Sequence, residues 1–308
     1  MLRKIIMLSV LSVIIPLFAN TFLFAGDDSG LPGAFLRLPV NARANGMGSA
    51  FTALSQDPSA GYWNPAGLGF IDNFQLNVMY SLMSMDRRHN FAGVSLPSEN
   101  CGTLGIHWKQ FGVSNIDGRD SKGIHTEYFS DNEMALGLSY GYKIGSYCSI
   151  GATGKYLLQF LQDYKAKGYS FDVGVMVNLK EEFYLGFVAK NIFSSLQWDT
   201  ESAFCEILTK TYRAGIGIKP LALPILFTLD ALKFDTENND KTQLFGGCEV
   251  WLLPDILALR GGIANGELTA GASIGWKGKD FGFRLDFAYL QDVLEQGATS
   301  QISFGIEF

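Results

Sequence analysis

Charge is scarce in this chain. Only 18% of its 308 residues are Asp, Glu, Lys or Arg, against roughly a quarter in ordinary soluble domains. Acidic residues outnumber basic ones, 30 to 24, a balance that excludes a basic surface for nucleic acid. Histidine is rarer still: His89, His107 and His125 are three in all and show no metal-ligand spacing. His107 alternates onto the polar side of its strand and reads as a hydrated wall residue. The four cysteines, Cys101, Cys148, Cys205 and Cys248, are far apart in sequence and form no C-x-x-C pair, which excludes a zinc knuckle or a thioredoxin-type motif. Long apolar runs are confined to residues 5–24, which follow Arg3 and Lys4 and precede Ala25 and Gly26. Pro16 and Asn20 interrupt that run, so residues 1–25 read as an export signal and not as a membrane helix. No cysteine follows directly, which argues against a lipoprotein. Loss of Arg3 and Lys4 with the signal leaves 22 basic and 30 acidic residues, a net charge near −8.

What the chain has is glycine, 35 residues, and 13% aromatics, set in a period of two. Phe281, Phe283, Leu285, Phe287 and Tyr289 alternate with Gly282, Arg284, Asp286 and Ala288. Successive strand residues point to opposite faces, so this strand has an oily and a polar side. The pattern predicts fourteen strands, at 73–83, 88–97, 101–112, 131–144, 147–162, 167–179, 182–194, 209–219, 224–235, 242–252, 256–264, 266–276, 280–290 and 299–308. Most are long enough for a tilted bilayer crossing, which takes roughly 9 to 11 residues. Every second connection is tight (98–100, 145–146, 180–181, 220–223, 253–255, 277–279), whereas 113–130, 195–208 and 291–298 are long. Short turns on one rim and loops on the other mark an outer-membrane barrel. The fold class is therefore all-β: a transmembrane antiparallel barrel of about 14 strands, spanning 73–308. Closure removes the edges that lipid cannot hydrogen-bond.

The final strand places Ile302, Phe304, Ile306 and Phe308 on one face; Phe304, Ile306 and Phe308 are similar to the signal read by barrel assembly machinery. Tyr142, Trp276 and Phe308 on the turn side, with Tyr80, Trp108 and Tyr289 on the loop side, suit interfacial girdles. The polar faces carry charges of both signs, Lys109, Asp172, Arg213, Lys219, Asp230, Glu249, Arg284 and Asp286, an arrangement for cross-strand pairing and not for a pore selective for one ion sign.

Apparent chemical motifs dissolve in this context. Gly137 to Gly141 and Gly271 to Gly275 both spell G-x-S-x-G, but inside extended strands and not at the strand-to-helix turn a nucleophile needs. Gly154-Lys155 lacks the earlier Gly and the Ser or Thr of a phosphate loop. The acidic stretch 235–240 lacks the Gly and distal Glu of an EF-hand and reads as a solvated loop. No enzymatic site, metal or cofactor is expected.

Residues 26–72 precede the first barrel strand, and the Pro- and Gly-punctuated stretch 59–70 among them cannot itself be strand. Gly46 and Gly48 permit close backbone approach, Phe51 to Leu54 suit a short added strand, and Ser59 or Asp57 can cap a helical turn that Pro65 interrupts. So apolar a piece has a destination, because fourteen strands enclose a lumen that needs filling. We read it as a plug. Its runs Ala42-Arg-Ala-Asn-Gly-Met-Gly-Ser-Ala-Phe-Thr-Ala53 and Tyr62-Trp-Asn-Pro-Ala-Gly-Leu68 resemble the N-terminal signature of the PorV/PorQ proteins, within the FadL-like superfamily of fourteen-stranded outer-membrane barrels. The resemblance implies a lumen hatch at Arg43, Gly46, Met47, Gly48, Tyr62, Trp63, Asn64, Pro65, Ala66 and Gly67. It implies a monomer in the outer membrane of a Gram-negative-type bacterium, with membrane lipid and assembly machinery as partners. Its first functional expectation is a PorV/PorQ-type, non-enzymatic role in protein secretion or envelope transport, with secreted proteins as cargo. Its alternative is a FadL-like channel for long-chain fatty acids or other hydrophobic small molecules, released through an opening beside the hatch; a purely structural barrel is a third. The pairs Gly246-Gly247 and Gly261-Gly262 suit either a kink at such an opening or tight lumen packing.

Overall fold

The computed structural model describes residues 31–180, 182–201, 203–220, 223–236, 242–291 and 298–308. The expected signal at 1–25 lies outside them, as does most of the acidic stretch 235–240. Among the described residues the chain forms β1 (Gln75–Leu82), β2 (Arg87–Ser98), β3 (Gly102–Arg119), β4 (His125–Ile144), β5 (Cys148–Leu161), β6 (Tyr164–Leu179), β7 (Phe183–Trp198), β8 (Cys205–Glu206), β9 (Thr211–Ile218), β10 (Ile225–Phe234), β11 (Thr242–Leu253), β12 (Leu257–Ala264), β13 (Glu267–Lys277), β14 (Gly282–Gln291) and β15 (Ala298–Glu307). All pairings are antiparallel, and β1 bonds both β2 and β15, so the sheet closes on itself. Fourteen strands make the ring; β8 adds only two residues beside the end of β7.

The period of two sets what faces where. In β9 every other residue from Thr211 is buried while Tyr212, Ala214, Ile216 and Ile218 are exposed. Leu138, Leu229 and Ile274 are likewise more than half exposed, a surface costly in water and matched to hydrocarbon. No described helix is long and apolar enough to cross a membrane. On the turn-side rim Phe308 packs on Phe74 and Phe281, with centroids 5.7 and 5.3 Å away, and Trp276 lies 6.3 Å from Phe283. This aromatic group sits where β15 meets β1.

Several local expectations are corrected. Most of 113–130 is not a loop: β3 and β4 continue pairing out to Arg119 and His125, with bulges near 113–119, because polar residues on both faces there satisfy a ladder standing in water. Trp108 pairs with Ala92 and Leu136 at mid-strand, not at the loop-side rim. Phe51 to Leu54 form no strand: the Phe51 and Thr52 amides are taken by the Asp230 carboxylate and the Leu54 amide turns back to Phe51 O. His107 is not open to bulk water at the wall surface; it is 4% exposed, lines an internal cavity and stacks near Phe91.

Before β1 come α1 (Ala34–Arg37), α2 (Ala42–Gly46), α3 (Ala60–Trp63) and a 3-10 turn over Pro65–Phe70. Local chemistry shapes them. The Asn41 side chain accepts from the Arg43 amide at the start of α2, and Asp57 accepts from the Ser59 amide before α3. Pro65 opens the 3-10 turn instead of breaking a helix, and the Asn64 side chain caps it by accepting from the Ala66 amide. Helices this short do not persist alone in water. Here they pack against inward faces around the ring: α2 against β12 to β15, and the 3-10 turn against β3 to β6. Val40, Met47, Phe51, Leu54 and Trp63 bury together with Met79 and Phe91 of the wall.

Candidate functional site

The N-terminal segment is held around the whole ring, but its salt bridge to the wall lies on the β9 to β15 side, beside neutral bonds such as the Ala42 amide to Ser303 and the Gly48 amide to Thr269. Arg43 donates twice to Glu249, at 2.9 and 2.8 Å, and Arg260 donates to the same carboxylate at 2.6 Å. Arg260 reaches on to Asp286 at 3.2 Å, and Arg284 to Asp286 at 3.0 Å. Burial opposes the charge on Arg43, but Glu249 beside it more than offsets that, holding the guanidinium above its ordinary range. Next to this network Asp230 accepts from the Phe51 and Thr52 amides, both at 3.0 Å, and from Arg213 at 2.8 Å; Arg213 also donates to the Ser49 carbonyl. Thus Arg213, Asp230, Glu249, Arg284 and Asp286 face the lumen, and the first three bond the segment directly.

Glycine allows that grip to be close. Gly48 has φ +64°, and a Cβ there would lie 2.2 Å from the Gly246 carbonyl oxygen. Gly247 and Gly262 in turn leave room for the backbone of Met47 and Gly48. The β11–β12 register through these glycines is regular, so they serve packing and no kink.

On the β3 to β7 side no ion pair reaches the segment among the described residues; apart from the Lys109 ammonium, which donates to the carbonyls of Leu36 and Leu38, the hydrogen bonds there are neutral. The Asn64 amide donates to the Thr52 and Val175 carbonyls at 3.0 and 3.1 Å, Ser149 donates to Ala66 O at 2.7 Å, and Thr153 to Gly61 O at 3.1 Å. Tyr62 donates to Arg37 O at 3.1 Å and Trp63 to Val40 O at 3.1 Å, and burial pushes the Tyr62 phenol upward from its ordinary value.

Above this side lies a cavity of about 60 Å³ between Tyr62 and the wall, lined by Lys109, Lys155, Asp172, Lys190, Asn191 and Arg213 among others. Its roof toward the loop-side mouth is apolar: Phe35, Leu157, Leu196 and Leu208 are buried together, with Leu36, Phe111 and Trp198 around them. Leu208 belongs to the strap joining β7 to β9, which therefore folds over the mouth. The wall itself is irregular here. Phe171 pairs with Phe193 and Val173 with Ala189, so Asp172 faces Lys190, Asn191 and Ile192, and Asn191 adopts φ +57°. Beyond Lys190, which pairs with Thr211, the β7–β9 ladder ends. Below the segment, on the turn side, an open vestibule of about 390 Å³ is lined by Arg43, Tyr184, Glu249 and Trp251.

Sequence reading placed Lys109, Asp172 and Arg213, all of which line this cavity, on the polar face, but not Lys155, Lys190 or Asn191, and it missed Arg260. Lys155 and Arg260 were visible by parity, since each alternates with outward residues. Lys190 and Asn191 were not, because the bulge resets the parity of β7. Lys219 follows β9 at the rim and is exposed. Phe304 and Phe308 point outward, with Ile306 half-buried between them.

The chain matches no family model and no curated protein sequence. Its fold does recur among solved structures, and it defines a class: a closed, antiparallel, FadL/TodX-like 14-strand barrel. The Pseudomonas putida toluene transporter TodX superposes with a TM-score of 0.56 at 12% identity, over 87% of this chain and 97% of that one. A FadL homologue from Pseudomonas aeruginosa gives 0.54 at 11%, over 87% and 97%, and the CymD monoaromatic hydrocarbon channel 0.53 at 13%, over 89% and 98%.

Proposed function

We propose that this protein is a non-enzymatic channel of the outer membrane that passes hydrophobic small molecules, with residues 26–72 as its hatch. The observation that carries the reading is the layered lumen. An apolar cover formed by Phe35, Leu157, Leu196 and Leu208, packed shut, lies over a cavity bounded by Tyr62 and the β3 to β7 wall. The Arg43–Glu249 salt bridge ties the hatch to the β9 to β15 half of the ring, so a passage opens most cheaply on the β3 to β7 half, which has no ion pair to the segment among the described residues and whose neutral hydrogen bonds are each worth about 1 kcal/mol. The names of the solved neighbours, a toluene transporter and hydrocarbon channels, support the same class of solute. Nothing among them supports the secretion role that the PorV/PorQ resemblance implies.

The test is uptake of radiolabelled toluene and of a long-chain fatty acid by cells expressing the full chain, against cells with the empty vector. Uptake of either above background supports the channel. Background uptake of both, with exported proteins co-purifying on the solubilised barrel, would replace it with the secretion role.

A further inference from the structure

The outer face of β2 to β6 changes character from one row of residues to the next. Trp108, Leu136, Tyr156 and Tyr169 alternate outward, and the strand register sets them side by side. Two residues nearer the loop side the outward row is Asn90, Gln110, Met134, Leu158 and Lys167. Two residues beyond that it is Arg88, Gly112, Asn132, Phe160 and Lys165. Neither polar row holds a carboxylate: Asp131 and Glu133 alternate to the lumen side, and Asp86 and Asp163 lie higher, in the β1–β2 and β5–β6 turns. On β1 and β13, by contrast, the outward face stays apolar as far as Leu82 and Leu268 at the loop-side ends.

Amides tie the polar rows together and give them a direction. Asn90 Nδ2 donates to Gln110 Oε1 at 3.1 Å, and Gln110 Nε2 donates to Asn132 Oδ1 at 2.9 Å. With its oxygen turned to β3, Asn132 turns its Nδ2 toward β5, where no described residue accepts from it. Across β5 stand Lys165 and Lys167, both exposed. Neighbouring strands lie about 4.8 Å apart, so the amide and the two lysines flank a gap of about 10 Å. Its floor is Leu158 and Phe160, which pair with Met134 and Asn132 on one side and with Lys167 and Lys165 on the other. Exposed lysines alone need no explanation. These stand directly on an aromatic and aliphatic surface, the height at which a leaflet passes from acyl chain to headgroup. Cations there attract lipid phosphates, whose oxygens accept from ammonium and amide groups alike.

We infer that the outer wall over β5 binds the phosphate of a phosphorylated outer-leaflet lipid. The phosphate oxygens accept from Asn132 Nδ2 on one side and from the ammonium groups of Lys165 and Lys167 on the other. The acyl chains of the same lipid run down over Leu158, Tyr156 and Leu136. The inference is independent of what passes through the lumen; it rests on the barrel standing in a leaflet that carries phosphate.

The experiment is native mass spectrometry of the purified, detergent-folded full chain, mixed with bisphosphorylated lipid A or with the same lipid after phosphatase treatment. It is repeated for the double variant Lys165→Gln with Lys167→Gln, for Asn132→Ala, and for the control Lys122→Gln in the exposed β3–β4 turn. Heat-modifiable gel migration confirms that each variant is folded. The wild type and Lys122→Gln should retain the phosphorylated lipid about tenfold more tightly than the phosphate-free form, as expected for lysines beside a lipid phosphate. The double variant should lose that preference, and Asn132→Ala should weaken it several-fold. Equal retention of the two lipids by the wild type, retention of neither, or a preference unchanged in either variant overturns the inference.

Discussion

Glu249 lies at the centre of the clamp, 1% exposed, accepting from Arg43 and Arg260 and also from the Trp251 indole at 3.1 Å. Glu249→Gln leaves two guanidinium groups facing a neutral amide, and removing one partner of a buried pair costs about 3–5 kcal/mol. The variant should unfold at lower urea than the wild type, by tryptophan fluorescence; an unmoved midpoint would mean that the clamp is energetically idle. Gly48→Ala acts through the backbone instead. Its φ of +64° and the 2.2 Å approach of Gly246 O leave no room for a methyl group, so strain of about 1–3 kcal/mol follows. The readout is a lower temperature for the shift from folded to unfolded gel mobility. At this scale the sequence was informative where parity held: Glu249, Asp286, Arg213 and Asp230 could be placed on the polar face by counting alone. The partners they chose could not, because a contact such as Arg43 to Glu249 spans 206 residues and no local rule reaches that far.

Among the elements, the strap from β7 to β9 is the part least anticipated by pattern. Its residues show neither period two nor a helical stripe, yet Leu208 reaches the mouth core and β8 forms beside β7. Strand pairing supplies a handle on it: the Ser195 hydroxyl lies 3.3 Å from the Cys205 sulfur. Ser195→Cys should therefore form a disulfide with the native Cys205 under mild oxidant, fixing the strap to the wall. If the strap must move for solute to enter, oxidised Ser195→Cys takes up solute several-fold more slowly than the same protein after reduction. Equal rates in the two states would place the entry route elsewhere. The long β3–β4 hairpin was misread as a loop for a related reason. Above the bilayer both strand faces are wet, so the apolar alternation that identifies a membrane strand fades while backbone pairing continues.

For the molecule as a whole, the barrel was legible because closure, strand length and one-sided turns all follow from crossing a bilayer. The filling of the lumen was legible only as an excess of apolar, non-strand sequence with nowhere else to go. Deleting residues 33–71 tests what that filling does. The ring pairs strand to strand without it, so the deletion variant should still insert, and in planar bilayers it should conduct ions at least tenfold more than the intact protein. Similar conductance for the two would show that the lumen is already open.

The meeting of β1 with β15 has a consequence in time. The Ala42 amide donates to Ser303 Oγ across 261 residues, and β1 finds its second neighbour only in β15. Contacts of such separation form late and slowly. The N-terminal segment touches both flanks of that seam, so it must already lie within the curling sheet when the seam zips, or be shut out. Assembly is thus a packing-before-sealing problem, and its rate-limiting event should be the joining of the two most distant strands.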